Sequence, residues 1–315
     1  MRRVDSSVAT VFRNLAITKQ LNFLLGSGTS LPAIPLMGNL TNEELLNKVS
    51  LISREILKDR SENDLVNSTQ NTYNNFIQTI IDLLNLSNSR QAPKNINIFT
   101  TNYDLFVEKA IDNVAQNNRF VFNDGASGYF RRILDSTNYN RTVSYRGLNN
   151  NYLNEMPSIS LIKPHGSMNW IRQNDDIRIL SKVSSEPVIV PPTGFEAEET
   201  FLQNHFYEML RIFQLELDKP QSVLFVIGFS FQDKHIGKMV KRALQNPELV
   251  VYVFGYSNDD REKILNNLDF DEERMNFRIV TPKDISNKAD LNITLEWLTS
   301  VLNGTFPEEN LDDDE

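Results

Sequence analysis

The chain has 315 residues, with 41 acidic and 32 basic side chains and a formal net charge of −9. The absence of cysteine excludes disulfides, thiolate-bound zinc and a cysteine nucleophile, and suits a reducing compartment such as the cytoplasm. The acidic balance disfavours direct binding to duplex nucleic acid, where Lys and Arg must neutralise phosphates. The longest apolar run, Val223 to Phe229, is far short of the ~20 residues a membrane span needs. Thr10, Arg13 and Asn14 interrupt any apolar stretch after Arg2-Arg3, so no secretory signal is expected.

In chain order, Val8, Val11, Phe12 and Leu15 recur at helical spacing, and Leu21 to Leu25 reads as a short buried strand running into Gly26-Ser27-Gly28-Thr29-Ser30. Thr41 with Glu44 is a capping-box signature for a helix over 45–58. A second helix is carried by Val66, Tyr73, Phe76, Ile77, Ile80, Ile81 and Leu84. Residues 41–92 therefore read as an inserted helical module before the next strand, 96–99. A helix over 105–114 follows, and then an irregular insertion, 116–157, with no clear period.

Ile159 to Ile162 reads as a strand leading to Pro164-His165-Gly166, 170–180 as a hairpin, and Val188 to Val190 as a strand ending at Pro191-Pro192. Beyond a helix at 200–217, strands 223–227, 250–254 and 277–280 alternate with helices 234–245, 259–267 and 292–302. This alternation predicts an α/β fold: a Rossmann-like parallel sheet with helices on both faces, occupying residues 1–304. The segment 305–315 is an acidic tail.

Chemistry-bearing residues cluster just after predicted strands, the edge where open α/β sheets bind ligands. The turn Gly26, Ser27, Gly28, Thr29, Ser30 suits a close approach to a pyrophosphate, with a plain tight turn as the other reading. It has neither the Gly-Lys-Ser/Thr of a Walker loop nor the third glycine of a dehydrogenase fingerprint. In Thr100-Thr101-Asn102-Tyr103-Asp104, Asn102 can orient a water and Asp104 can face a developing cation, or either can cap the next helix. His165 suits a general base near neutral pH, or a structural role. In Gly228-Phe229-Ser230-Phe231-Gln232-Asp233, Gly228, Ser230 and Asp233 can hold an adenosine, or Asp233 can serve as an N-cap. His205 and His235 read as structural or surface residues, and three histidines with no H-x-x-x-H spacing and no cysteine give a metal site little support.

The ordered set G-S-G-T-S, T-T-N-Y-D, P-H-G-S-M-N-W, V-P-P-T and G-F-S-F-Q-D, over about residues 20–257, resembles the sirtuin superfamily. Within it the set is most similar to the sirtuin-like NAD hydrolases of bacterial anti-phage defence. The resemblance implies NAD as substrate with no metal, phosphates against Gly26 to Ser30, and Thr101 in the same pocket. It places Asn102, Asp104 and His165 around the nicotinamide ribose, and Gly228, Ser230, Asp233 and Tyr256 on the adenosine side. It implies release of nicotinamide and ADP-ribose, NAD depletion as the defence output, and a gated, cytoplasmic assembly. That assembly would be a homo-oligomer with a HerA-type hexameric ATPase or, second, a short Argonaute. An NAD-dependent protein deacylase and a non-catalytic NAD or ADP-ribose-binding assembly module are the alternatives. Deacylases of the superfamily usually carry a four-cysteine zinc module after the catalytic His-Gly and a Gln before the Asn. This chain has a cysteine-free hairpin there, and Thr101.

Overall fold

The computed structural model describes residues 6–36, 40–86, 94–145, 155–191, 204–285 and 291–304. The acidic tail, Pro192 and Thr193 of V-P-P-T and the expected helix start at 200–203 lie outside them.

A seven-stranded sheet organises the molecule. Its strands are β1 (Gln20–Leu25), β2 (Asn95–Thr100), β3 (Val121–Asn123), β6 (Ser158–Ile162), β9 (Ser222–Ile227), β10 (Val250–Phe254) and β11 (Phe277–Val280). Their order is β11-β10-β9-β1-β2-β6-β3, and every pair is parallel. The fold is the Rossmann-like α/β sheet expected. Its central strands read as near-continuous apolar runs because both faces are covered. Alternation still divides them: Phe23, Phe225 and Ile227 face one core cluster, and Leu24, Leu224 and Val226 the other.

The first cluster is closed by α1 (Ser6–Thr18), α3 (Asp64–Leu86), α4 (Phe106–Ala115) and α9 (Leu295–Asn303). The second is closed by α5 (Asn204–Leu217), α6 (Lys234–Ala243) and α7 (Asp260–Asn267). Within the 41–92 stretch, α2 (Asn42–Ile56) starts at the capping box of Thr41 and Glu44. α3 belongs to the main layer: Tyr73, Phe76, Ile77 and Ile80 are wholly buried under the sheet. A short helix, α8 (Pro282–Ile285), follows β11.

The described residues of the 116–157 stretch are more ordered than their sequence suggests. They supply β3, the edge of the main sheet, and β4 (Ala126–Ser127) and β5 (Arg132–Leu134) of a second sheet. The latter, in order β4-β5-β8-β7, is antiparallel and includes the expected hairpin of β7 (Trp170–Gln173) and β8 (Asp176–Ile179). The strand expected at 188–190 is reduced to one bridge, Ile189 to Gly166. Its backbone bonds go to the loop after β6 and the first residue of β7 instead: Ser167 donates to the Val188 carbonyl, Val190 to that of His165, and Val188 to that of Trp170.

Candidate active site

β1 lies between β2 and β9, and the chain leaves it first toward β2 and only later reaches β9. The C-terminal ends of β1 and β9 therefore frame the crevice where connections diverge, the ligand position of open α/β sheets. Three glycines meet there. Gly26 donates to the Ile227 carbonyl (3.0 Å) and Gly28 to that of Gly228 (2.9 Å). A Cβ on Gly26 would collide with the Gly228 carbonyl oxygen, and one on Gly28 would lie 2.8 Å from Gly228 Cα. Gly228 has φ +65°, left-handed backbone that favours glycine. The glycines thus serve first to let two loops touch, and the Gly26 and Gly28 N–H groups are committed to that contact.

The turn continues as a 3₁₀ segment, 27–30, whose Thr29 and Ser30 point inward. Beneath it stands Tyr73 of α3, its hydroxyl 2.8 Å from Thr29 Oγ1 and 3.1 Å from Ser30 Oγ. Burial, with the Asp104 charge nearby, pushes the Tyr73 phenol above its ordinary value, so it remains a neutral hydroxyl. In the sequence Tyr73 stands only on an apolar stripe. A tyrosine on a buried stripe needs a hydroxyl partner, and that was the available signal.

Asn102 reaches the same turn from the end of β2. Its Nδ2 lies 3.1 Å from the Gly26 carbonyl oxygen, 3.3 Å from Thr29 Oγ1 and 3.1 Å from Ser30 Oγ. These fix the amide's orientation and leave Oδ1 as its acceptor atom. Ser30 Oγ donates to Asp104 Oδ2 at 2.7 Å, while Asp104 Oδ1 accepts from the Phe106 N–H at the start of α4. Asp104 therefore both ties down the helix entrance and presents a buried carboxyl. Burial raises its pKa, opposed by the Lys163 charge and the Ser30 hydrogen bond.

His165 is buried in the loop after β6. Its neighbour Gly166 has φ +84° and packs against the Val188 carbonyl. Lys163, two residues earlier and also buried, went unrecognised in the sequence. Its Nζ donates to the Asp104 carbonyl (2.5 Å), Glu108 Oε1 (2.9 Å) and Ser167 Oγ (3.0 Å). This clamps the Asn102–Asp104 loop to the His165 loop. From the far side comes Asp233, whose Oδ1 caps α6 through the His235 and Ile236 N–H groups. Its Oδ2 lies 3.1 Å from His165 Nε2.

Thr101 donates its N–H to the Leu25 carbonyl. Ser27 and Ser230 are exposed at the ends of β1 and β9, and Tyr256 is half-exposed after β10. His205 lies apart, against Trp170, and burial lowers its pKa to about 4, with Arg172 adding to the shift. His235 lies in the first turn of α6. Among the described residues no group of three or more His, Asp or Glu is placed to hold a metal, and no helix is long and apolar enough to cross a membrane.

Residues 96–274, more than half of the chain, match the family model of the SIR2-like domain. The chain belongs to the SIR2-like family. The match spans β2 to the end of α7, and so holds Asn102, Asp104, His165, Gly228, Ser230, Asp233 and Tyr256, while β1 and its glycine turn precede it. The family's chemistry is that of NAD. A search of the curated proteins finds no match.

Proposed function

We propose that this SIR2-like protein hydrolyses NAD to nicotinamide and ADP-ribose. The observation that carries this reading is the convergence at one sheet edge of the Gly26–Ser30 turn, the Asn102–Asp104 loop and the His165 loop, tied together by Ser30 and Lys163. The strand switch point between β1 and β9, with its glycine junction, is the position at which an open α/β sheet takes a dinucleotide. Gly26 to Ser30, Thr101, Gly228, Ser230 and Tyr256 would line it.

Cleavage of the nicotinamide–ribose bond develops positive charge on the sugar. Asp104 puts a buried carboxyl, away from water screening, on that side of the pocket, and its ionised form would oppose that charge. Asn102, held by its Nδ2, offers Oδ1 to a water or sugar hydroxyl, and His165 accepts the proton. A deacylase reading has less support, because a cysteine-free antiparallel sheet follows the His-Gly.

Chromatographic assay of NAD turnover tests the reading, using wild type, Asn102→Ala and His165→Ala with folding checked by circular dichroism. Nicotinamide release without an acyl-lysine peptide, abolished in both variants, is the expected result; retained turnover in both folded variants removes the assignment. By the same reading the output is NAD depletion in anti-phage defence. The protein would act in the cytoplasm as a homo-oligomer gated by a HerA-type ATPase, with a short Argonaute second. Co-purification and size-exclusion chromatography with each partner test that part.

A further inference from the structure

Asp233 uses its two carboxylate oxygens differently. Oδ1 accepts from the His235 N–H at 2.9 Å and the Ile236 N–H at 3.2 Å, which completes the N-cap of α6. Oδ2 stands 3.1 Å from His165 Nε2. In the order β9-β1-β2-β6 the two parent strands are three places apart, roughly 14 Å at about 4.8 Å per strand. Their loops therefore lean over the ends of β1 and β2, above Gly26 and Asn102, to meet. An N-cap does not require this, since Asn or Ser caps about as well as Asp. What a carboxylate adds is charge against the imidazole. Burial favours its neutral form, yet His165 and the capping N–H groups together hold Asp233 below the usual carboxylate range, so it is ionised at neutral pH. The pair meets out of line, and among the described residues neither Nε2 nor Oδ2 has a hydrogen-bond partner. Among the described residues no competing bond opposes rotation of the ring toward the carboxylate, and catalytic hydrogen bonds are often loose without substrate.

We propose that Asp233 is a positioning residue for His165: its Oδ2 keeps the imidazole proton on Nε2, leaves the Nδ1 lone pair as the base, and stabilises the imidazolium once Nδ1 is protonated. This rests on the hydrolase reading. In the step served, water loses a proton to His165 Nδ1 and its oxygen bonds to the ribose carbon. The carbon–nitrogen bond breaks with its electron pair leaving on nicotinamide, which departs neutral. The proton then passes from His165 to solvent, completing NAD⁺ + H₂O → ADP-ribose + nicotinamide + H⁺.

The experiment separates charge from capping. Asp233→Asn keeps a capping side chain and removes the charge; Asp233→Ala removes both. Asp233→Asn should melt above Asp233→Ala and hold KM for NAD within about threefold of wild type. Its kcat should fall by on the order of 10²–10⁴, as when the orienting acid of a base is neutralised. A kcat for Asp233→Asn within twofold of wild type overturns the proposal. A second readout needs no turnover. With only three histidines, long-range ¹H–¹⁵N correlation resolves each ring, His165→Gln assigning one. His165 should show the Nε2-protonated tautomer in wild type and lose it in Asp233→Asn, with His205 unmoved; an unchanged His165 pattern overturns the positioning role. If the wild type consumes no NAD while the tautomer responds as expected, the hydrolase reading fails and the Asp233–His165 coupling stands.

Discussion

Asn102 and His165 occupy equivalent places on neighbouring strands, each three residues beyond Phe99 and Ile162, which are register partners in β2 and β6. Parallel pairing thus brings the amide and the imidazole to the same edge, but it does not hold the loops that carry them. Lys163 does, through its bonds to the Asp104 carbonyl and Ser167 Oγ, with Glu108 as its counter-charge.

Removing that cation leaves Glu108, whose pKa burial already raises, without its partner. Breaking a buried pair from one side costs about 3–5 kcal/mol, whereas replacing both members by apolar groups is often neutral. Lys163→Met should lower the urea-unfolding free energy by about that much, and Lys163→Met with Glu108→Leu should recover most of it. NAD turnover should stay lost in the stable double variant, because the tie between the two loops is gone. Full activity there would show that the clamp serves folding alone.

The glycine junction makes a graded prediction. Alanine at Gly228 needs both a left-handed backbone and room that Thr29 N, 2.6 Å from the added Cβ, already occupies. Alanine at Gly26 or Gly28 presses on rigid backbone, while at Gly255 it meets Asp260 Cβ at 3.1 Å. Overpacking and strain of this kind cost about 1–3 kcal/mol each. Melting temperatures should fall most for Gly228→Ala, then Gly26→Ala and Gly28→Ala, and least for Gly255→Ala. Calorimetric titration with NAD should show binding lost in the first three and largely kept in the fourth.

Much of this architecture was legible in the residues. Strands buried on both faces announce themselves as apolar runs, and the 3.6-residue stripe of α3 is long enough to be unambiguous. The second sheet was half hidden, because β4 and β5 have two and three residues and so carry no period. Val188 to Val190 has the β-branched composition of a strand, but it bonds mainly to a loop and makes a single bridge. At the site, motif positions were readable while their partners were not. A lysine beside Pro164 looks solvated until the fold buries it, because lysines are almost never fully buried unless paired. Asp233 was legible as a cap, but the approach of His165 depends on loops 68 positions apart in the chain leaning toward each other.

Asp104 gives stability a sign opposite to that of most paired carboxylates. Burial, its largest influence, raises its folded pKa above the unfolded value, so the folded chain holds the proton more tightly. The ionised form therefore destabilises the fold. This cost is absent below the unfolded pKa and grows until pH has risen through the folded one. Asp104→Asn, which can still accept from the Phe106 N–H, should gain stability relative to wild type between about pH 4 and pH 8 while losing turnover. Paired urea melts at both ends of that range decide it: a difference that does not grow with pH means that the carboxylate is fully compensated by Lys163 and Ser30.

His205 should govern part of the acid limb. Its Nε2 is buried without a partner among the described residues, its ring packs edge-on to Trp170, and burial with the nearby Arg172 charge lowers its pKa from 6.5 to about 4. The fold thus holds it neutral, and the unfolded chain binds the proton first. Its contribution is intact above pH 6.5, falls as pH drops toward 4, and levels off below, for a total of about 3 kcal/mol at 1.36 kcal/mol per pH unit. His205→Leu removes the titrating group, so its unfolding free energy should decline less steeply than that of wild type between pH 7 and pH 4. The same variant should keep NAD turnover near wild type, since the ring lies away from Asn102 and Asp104, whereas His165→Ala should not. If His205→Leu abolished turnover without loss of stability, the base would have to be sought at the start of α5 rather than at the end of β6.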